Sequence, residues 1–416
     1  MEQLDLMLEK ANICLNCKKP MCKLGCPIST NIPEFIQEIK LKNFENAYNI
    51  LQENNMLSEI CSTVCPVEDQ CMGKCVRGIK GIPTQINVLE RYVDEWATDN
   101  KIEYKPEISQ NCNKKVAIIG SGPAGLACAI DLAKAGASVT IFEKEEKCGG
   151  ILTYGIPDFR LSKKVVNKII ERIKDLGIVI RNNVEFGNDI TIDELHKQGF
   201  DEIFIGVGAQ KQTIYSLGKE NISGIYKSDE FLKKYCNGEK INNLGTTIVI
   251  GGGNVAIDSA RVAVKQGAEK VYIVYRRNKE LMPARKIEID EAIKDGVEFI
   301  YQTKVIAANE DNKRVQEIEC IKTRIENNKA VEIENSNFKM KANTVIFAIG
   351  ASLDIRPFEN SGIKYENGLV CVDENYKTNI EGVYAGGDAV ETKSTVCRAI
   401  ATGKKVAKEI IKNSKI

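Results

Sequence analysis

The sequence predicts an α/β protein with two parallel sheets of the doubly wound type and a separate helical domain at the N-terminus. A strand, a glycine turn, a helix and a second strand follow one another from Val116, and the same pattern begins again at Thr246. This alternation is typical of parallel sheets covered by helices. The cysteines give the third observation, because eight of the fifteen fall within the first 75 residues. We therefore expect an N-terminal module that differs in kind from the rest of the chain.

The composition excludes several classes of protein. Hydrophobic residues make up 43% of the 416 residues and charged residues 28%, which is ordinary for a globular protein. Lys plus Arg number 58 against 57 for Asp plus Glu, so nothing indicates a nucleic-acid partner. There is no signal peptide pattern, and no apolar run approaches the ~18 residues that a membrane span needs. We expect a cytoplasmic protein without a membrane partner, with cysteines that are reduced or bound to metal.

The segment between the two cysteine-rich runs predicts two helices. Its apolar residues recur at helical spacing, and they are Ile32, Phe35, Ile36 and Ile39, then Phe44, Ala47, Tyr48 and Leu51. Asn31 and Pro33 are typical of a helix start. Another helical stretch follows over 87–99, and 101–114 reads as a linker.

The first glycine turn has the sequence GSGPAG. Its residues are Gly120, Gly122, Pro123, Ala124 and Gly125. The glycines permit a tight turn and let backbone N–H groups approach a pyrophosphate at a helix N-terminus. Glu143 ends the next strand, where a carboxylate accepts hydrogen bonds from ribose hydroxyls. The pattern predicts a dinucleotide site, and the alternative is a glycine-rich turn in an ordinary strand–helix unit.

The second turn is the G-x-G-x-x-A variant. Its candidate residues are Gly251, Gly253, Asn254 and Ala256. Aligning the two units puts Tyr275 where Glu143 stood, followed by Arg276 and Arg277. The second unit thus has arginines and no acid at the end of this strand. That arrangement suits a 2′-phosphate, which predicts NADP(H). If the arginines only face solvent, NADH remains open.

Two such units in one chain are similar to the flavoproteins with two dinucleotide-binding domains. The resemblance implies FAD in the first Rossmann-like domain and a pyridine nucleotide in the second, which is inserted in the first. GVYAGGDAV is similar to their C-terminal flavin motif, which places Gly387 and Asp388 near the ribityl or pyrophosphate part of FAD. We expect a helical iron–sulfur domain over 1–108. The FAD-binding domain is expected in two parts, 109–225 and 345–416, and the NADPH-binding domain over 226–344.

Electrons need an exit from the flavin. From Cys112 onward no C-x-x-C or C-x4-C pair occurs, and the isolated Cys148 is expected to pack rather than react. The runs CLNCKKPMCKLGCP and CSTVCPVEDQCMGKC each place a proline directly after a cysteine, as cluster-binding loops do, although their spacing differs from that of ferredoxins. Eight thiolates could instead form two zinc sites. The need for an electron outlet favours iron–sulfur clusters.

Nearly the whole chain resembles the small (β) subunit of bacterial NADPH-dependent glutamate synthase. Its relatives are the electron-input module of dihydropyrimidine dehydrogenase and the large subunit of NADH-dependent ferredoxin:NADP oxidoreductase. The motifs that carry the resemblance are both cysteine runs, PTQINVLERY, GSGPAG, GGILTYGIPDFRL, GGGNVAID, YRRNKELMPA and GGD, in this order.

This resemblance implies two [4Fe–4S] clusters with crossed ligation. One would be held by Cys14, Cys17, Cys22 and Cys75, and the other by Cys26, Cys65, Cys71 and Glu90. Cys61 would then be a spectator. The resemblance also places Gly150 and Arg160 on the flavin side and Lys144 beside the adenosine ribose.

The implied function is an electron-input subunit that passes electrons from NADPH through FAD and the clusters to a partner. The partner would be a glutamate synthase large subunit or a similar FMN enzyme, or else ferredoxin. The alternatives are the large subunit of a bifurcating, ferredoxin-linked NADP transhydrogenase, the input subunit of a dihydropyrimidine dehydrogenase, a stand-alone diaphorase, and a zinc-stabilised regulator without turnover. Hydride transfer requires no acid–base residue, and the only histidine, His196, is expected at the surface. Only 13 residues precede Cys14, so the usual partner contacts are expected to differ.

Overall fold

The structure, a computed structural model, describes residues 2–218, 222–392 and 395–414. The chain divides into two compact units. The first unit comprises Met1–Thr153, Phe159–Ala209 and Leu353–Ile416, and the second comprises Tyr154–Asp158 and Gln210–Ser352. The domain boundaries expected from the sequence stay a prediction.

The N-terminal part of the first unit is helical. Its helices are α1 (Glu2–Asn12), α2 (Met21–Gly25), α3 (Ile32–Lys40), α4 (Phe44–Asn54), α5 (Ser58–Val64) and α6 (Ile86–Asp99). Asn31 precedes α3, and Pro33 lies in its first turn. The apolar residues that predicted α3 and α4 are buried. Residues 101–114 contain no helix or strand, as expected of a linker.

A five-stranded parallel sheet follows in the first unit. Its strands are β1 (Lys115–Ile119), β2 (Ser138–Glu143), β3 (Val179–Asn182), β4 (Glu202–Ile205) and β18 (Val383–Ala385). Their order is β18-β4-β1-β2-β3, and each neighbouring pair is parallel. The helices that follow the N-terminal six in this region are α7 (Pro123–Lys134), α8 (Ile151–Tyr154), α9 (Lys163–Asp175), α10 (Ile192–Lys197) and α14 (Val396–Asn413). A small hairpin joins β16 (Tyr365–Glu366) to β17 (Leu369–Val370).

The second unit has its own five-stranded parallel sheet. Its strands are β6 (Ile225–Lys227), β7 (Thr246–Ile250), β8 (Lys270–Val274), β9 (Glu298–Ile300) and β14 (Thr344–Phe347), in the order β6-β14-β7-β8-β9. The helices of this unit are α11 (Ser228–Cys236), α12 (Asn254–Lys265) and α13 (Lys286–Lys294). The short strands β5 (Lys211–Gln212) and β15 (Ala351–Ser352) form an antiparallel pair.

The second unit also contains an antiparallel sheet that the sequence analysis did not predict. Its strands are β10 (Thr303–Asp311), β11 (Arg314–Glu326), β12 (Lys329–Glu332) and β13 (Phe338–Lys341). β11 pairs with each of the other three. This sheet lies between β9 and β14 in the chain, where the sequence offers no glycine-turn motif.

The chain leaves the first sheet after β4 and returns to it at β18, and the larger segment of the second unit, Gln210–Ser352, lies between these two strands in the chain. The predicted fold class, two Rossmann-like domains with the second inserted in the first and a helical N-terminal domain, is confirmed. Among the described residues, no helix combines the length and the apolar character that a membrane crossing requires.

Candidate functional site

The first glycine turn joins β1 to α7. Gly120 has a φ of 94°, a left-handed value that favours glycine. A Cβ atom on Gly125 would lie 2.0 Å from the carbonyl oxygen of Gly120, so the helix packs closely on the turn. A Cβ atom on Gly122 would meet nothing within 4 Å. The backbone at Gly122 therefore borders open space beside a helix N-terminus, where a pyrophosphate fits.

Glu143 lies beside this turn. Its side chain is buried, and one carboxylate oxygen accepts hydrogen bonds from the backbone N–H of Ser121, at 3.0 Å, and from the Ser121 hydroxyl. The other oxygen accepts from the backbone N–H of Glu145 at 2.9 Å. These bonds hold the acid at the end of β2 and next to the glycines, as ribose recognition requires.

Two further loops meet the turn. A Cβ atom on Gly150 would lie 3.0 Å from the Cα atom of Gly122, and one on Gly387 would lie 3.2 Å from the Cβ atom of Ala124. The N–H of Gly387 donates to the Thr402 hydroxyl at 2.8 Å, which ties this loop to α14. The backbone of three loops therefore meets beside the N-terminus of α7.

The other residues predicted on the flavin side differ in burial. Asp388 follows Gly387 and is half-buried, and Arg160 is half-buried in the segment before α9. Lys144 is exposed, and its charge lowers the pKa of Asp354, after the larger effect of the Arg356 side chain. Pro123 is the first residue of α7.

The second glycine turn joins β7 to α12. A Cβ atom on Gly251 would lie 2.2 Å from the carbonyl oxygen of Ala348, whereas one on Gly253 would meet nothing within 4 Å. The Asn254 side-chain oxygen accepts a hydrogen bond from the backbone N–H of Arg285 at 3.0 Å. This turn repeats the arrangement of the first, with one tightly packed position and one open position. Ala256 is fully buried in α12.

Tyr275 occupies the position of the missing acid. Its ring covers Gly252, where an added Cβ atom would lie 2.5 Å away. Its hydroxyl donates to the carbonyl oxygen of Leu281 at 2.7 Å. The end of β8 therefore presents an aromatic ring where the first unit presents a carboxylate.

The two arginines after Tyr275 differ in their environments. Arg276 is exposed, and its carbonyl oxygen accepts from the Thr323 hydroxyl at 2.7 Å. Arg277 is half-buried, and its Nε atom is buried without a hydrogen-bond partner among the described residues. A buried donor without an acceptor costs about 1–3 kcal/mol. A bound phosphate would relieve that cost, so Arg277 fits the 2′-phosphate of NADP(H).

Four cysteines line one cavity in the helical part of the first unit. They are Cys14, Cys17, Cys22 and Cys75. The walls are largely apolar and include Ile32, Ile36 and Ile86. Burial raises the pKa of the Cys22 thiol to about 11, and a metal bound there would deprotonate it. Four sulfur donors in an apolar cavity fit a [4Fe–4S] cluster.

The other predicted ligands form a second group. Burial, followed by the Glu90 carboxyl and then Cys26, raises the pKa of the Cys71 thiol. Burial, then the charges of Asp94 and Cys26, raises the pKa of Glu90 well above its usual range. Cys26, Cys71 and Glu90 therefore lie near enough to influence one another's pKa.

Two sulfur atoms outside the predicted ligand set adjoin this group. The Sγ atoms of Cys61, Cys65 and Cys397 all lie within 4.8 Å of one another, and all three residues are buried. Cys26 also contacts Cys397, whose thiol hydrogen bond lowers the pKa of Cys26 to about 6. Cys61, the expected spectator, also accepts a hydrogen bond from the Asn55 side chain at 3.4 Å.

Sequence reasoning missed Cys397. It lies alone near the start of α14, more than 300 residues after the second cysteine run. The Gln70 amide of that run donates to the Thr395 hydroxyl at 3.4 Å, and Thr395 caps α14 by accepting from the Arg398 N–H. No local pattern signals this contact, because only the fold brings α14 to the second run.

Cys148 and His196 lie in the environments that the sequence predicts for them. None of the fifteen cysteines, all of which lie in the described residues, forms a disulfide. Cys148 is buried, and its thiol donates to the Asn182 side-chain oxygen at 3.3 Å. His196 is exposed on α10.

Comparison with protein families matches two profiles to this chain. Residues 114–403 match the family described as pyridine nucleotide-disulphide oxidoreductase. Residues 2–102 match dihydropyrimidine dehydrogenase domain II, 4Fe-4S cluster. The matches thus cover both the helical N-terminal part and the two sheets.

Individual relatives span nearly the whole chain. The glutamate synthase [NADPH] small chain of Escherichia coli (strain K12) is 30% identical over 97% of this chain and 90% of its own length. The oxidoreductase AegA of the same organism is 33% identical over 98% of this chain, which spans 65% of AegA. The NADPH-Fe(3+) oxidoreductase subunit beta of Geobacter sulfurreducens is 32% identical over 94% of this chain, which spans 63% of it.

Solved structures support the fold. Mycobacterium tuberculosis FprA in complex with NADPH superposes with a TM-score of 0.63, covering 72% of this chain and 84% of FprA at 18% identity. At this identity the likeness concerns the arrangement of strands and helices.

Proposed function

The chain belongs to the pyridine nucleotide-disulphide oxidoreductase family and, within it, to the glutamate synthase small-chain family, and we propose that it is the NADPH-oxidising electron-input subunit of a larger flavoenzyme. It is an NAD(P)H-dependent flavin and iron–sulfur oxidoreductase. The proposal depends above all on one observation: a single compact unit contains both the first glycine turn and a cavity lined by four cysteines.

The chemistry belongs to the cofactors: bound FAD would supply a hydride acceptor for NADPH, and bound iron–sulfur clusters would supply one-electron carriers. The chain's own residues bind and orient these groups. The open backbone at Gly122 would receive the FAD pyrophosphate, and Glu143 would bind the adenosine ribose. Gly253 and Arg277 would receive the pyrophosphate and the 2′-phosphate of NADPH.

The ligand sets of the two clusters are part of the proposal. Cys14, Cys17, Cys22 and Cys75 would hold one cluster, and the common cavity supports this set. Cys26, Cys65, Cys71 and Glu90 would hold the other. Each cysteine run would then contribute to both clusters, so the two clusters would lie close enough for electron transfer.

We propose a glutamate synthase large subunit, or a similar FMN enzyme, as the electron acceptor, and the cytoplasm as the location. The 90% coverage of the E. coli small chain supports this choice. Other relatives are subunits of different oxidoreductases, such as the NADPH-Fe(3+) enzyme of Geobacter. A ferredoxin-linked transhydrogenase is therefore the second candidate.

Anaerobic affinity purification of the tagged chain from its native host tests the proposal. A large amidotransferase or FMN-containing chain in stoichiometric amount is the expected result, from a brown preparation that oxidises NADPH. A small flavoprotein partner together with ferredoxin-dependent NADP reduction would favour the transhydrogenase. A colourless chain containing zinc and no flavin would contradict both.

A further inference from the structure

Cys397 is a buried thiol that neither the flavin site nor the proposed ligand sets use. It is 2% exposed. Its sulfur lies within 4.8 Å of those of Cys61 and Cys65, and its thiol contacts Cys26. Two of its neighbours, Cys26 and Cys65, are proposed ligands of the second cluster.

With Cys65 as the proposed ligand, this geometry leaves Cys397 beside the ligands rather than among them. In a four-iron cluster each ligand binds a different iron, so the ligand sulfurs diverge towards separate corners. Sulfurs that contact one another cannot all bind separate corners of one cluster. The proposed set of Cys26, Cys65, Cys71 and Glu90 also already supplies four ligands.

The surroundings of Cys397 offer its S–H group mainly sulfur acceptors. A thiol is a weak donor, but an iron-bound thiolate carries negative charge, which strengthens the hydrogen bond. We propose that Cys397 donates its S–H to the cluster-bound sulfur of Cys26 or Cys65 and thereby raises the reduction potential of the second cluster. The inference rests on the proposed function, because it assumes that the second cluster is present.

The fold holds this donor in place. Thr395 caps α14 and accepts from Gln70 of the second cysteine run. Further along α14, a Cβ atom on Gly403 would lie 2.1 Å from the carbonyl oxygen of Ala124, so α14 packs closely on α7. A donor on a rigid helix keeps its geometry in both oxidation states.

The expected direction of the effect follows from charge. Reduction adds an electron to the cluster, so a hydrogen bond to its sulfur ligands stabilises the reduced state and raises the potential. Cys397 is also the second residue of α14, and the positive end of the helix dipole acts in the same direction.

Potentiometric titration of the anaerobic holoprotein, followed by electron paramagnetic resonance, tests the inference. In Cys397→Ala the second cluster should keep its iron and its spin count but titrate at a lower potential. Cys397→Ser keeps a donor and should lie closer to wild type. Cys128→Ala, which removes a fully buried thiol on α7, is the matched control and should leave both potentials unchanged.

Several results would overturn the inference. An unchanged potential in Cys397→Ala and Cys397→Ser, with FAD and both clusters retained, would show that the thiol does not influence the cluster. Loss of about half the iron from both variants, with FAD retained, would make Cys397 a ligand instead. A wild-type chain with zinc and no iron would overturn the proposed function itself, and the inference with it.

Discussion

Arg277 is the residue on which the choice between NADPH and NADH is expected to depend. Arg277→Ala should raise the KM for NADPH by about 10- to 100-fold, since a hydrogen bond to a charged group contributes about 1.5–3 kcal/mol. NADH has no 2′-phosphate, so its KM should change little. Steady-state kinetics with both nucleotides and an artificial acceptor measures the difference.

Arg324→Ala provides the control for this prediction. Arg324 is an exposed arginine of the same unit whose side chain pairs with Glu326. The Arg324→Ala substitution should leave the KM values for NADPH and NADH unchanged. An equal rise for NADPH and NADH in Arg277→Ala would contradict a role in 2′-phosphate recognition.

Asp94 makes stability depend on pH. Its carboxylate is buried and accepts hydrogen bonds from Ser58, at 3.0 Å, and from Gln52, at 3.2 Å. Burial, followed by the charge of Glu59, raises its pKa to about 7. Because the pKa of Asp94 is higher in the folded state than in the unfolded state, Asp94 contributes most to the free energy of unfolding below about pH 4. That contribution is lost as the pH rises through about 7.

Asp94→Asn should remove this dependence. At pH 8 the variant should be more stable than wild type, by on the order of 2–4 kcal/mol for a shift of about three pKa units. Thermal unfolding at pH 5 and pH 8, at one scan rate, measures the change. Asp99→Asn, at an exposed position, is the control and should unfold as wild type does. If the unfolding midpoint of wild type instead rose towards pH 8 relative to that of Asp94→Asn, Asp94 would not be the source of the pH dependence.

At the level of elements, the two glycine turns separate folding from binding. Gly122 has a φ of −67°, which any residue adopts, and faces open space. Gly122→Ala should therefore fold but lose FAD affinity by at least about tenfold, because the added methyl group occupies the pyrophosphate position. FAD content after desalting, with circular dichroism as a check on folding, tests this.

Gly253→Ala is the reciprocal control. Gly253 has a φ of −91° and equally open surroundings, so this variant should keep FAD and lose NADPH. Gly125→Ala should instead yield little folded protein, since its Cβ atom would lie 2.0 Å from a carbonyl oxygen. If Gly122→Ala retained full FAD content, the pyrophosphate would have to lie elsewhere.

The same elements show how far the sequence could predict the structure. Strand β1, the glycine turn and helix α7 are contiguous, so one stretch of sequence contains the whole signal. The antiparallel sheet of β10–β13 was missed because alternation in a half-exposed sheet is a weak signal beside two strong motifs. The pairing of β18 with β4 could be expected only through resemblance, because it joins residues far apart in the chain.

At the scale of the molecule, the metal ligands show the same limit. The spacing in each cysteine run predicts metal binding, but it does not reveal that Cys75 shares a cavity with Cys14. Resemblance supplied that pairing. Neither spacing nor resemblance indicated Cys397, because its proximity to Cys65 arises from the packing of α14 and leaves no local pattern.

The crossed arrangement predicts that substitutions in different runs have the same effect. Cys14→Ser and Cys75→Ser should each lower the iron content to about half, from about eight atoms per chain, and abolish the same paramagnetic signal. Cys26→Ser should abolish the other signal. Cys112→Ser, at a buried cysteine outside both groups, should keep both. Different signals lost in Cys14→Ser and Cys75→Ser would contradict the crossed ligation.

The same variants separate electron input from electron output. Hydride transfer needs only the nucleotide sites, so NADPH should still bleach the flavin of Cys14→Ser in a single anaerobic turnover, at a rate near that of wild type. Electron delivery to the physiological partner requires an intact route through the clusters, so partner reduction should fall by at least about tenfold. Stopped-flow absorbance measures the first process, and partner-coupled turnover measures the second. If partner reduction stayed at the wild-type rate after this cluster was lost, electrons would leave the flavin by another route, and the cluster in the Cys14 cavity would serve the structure alone.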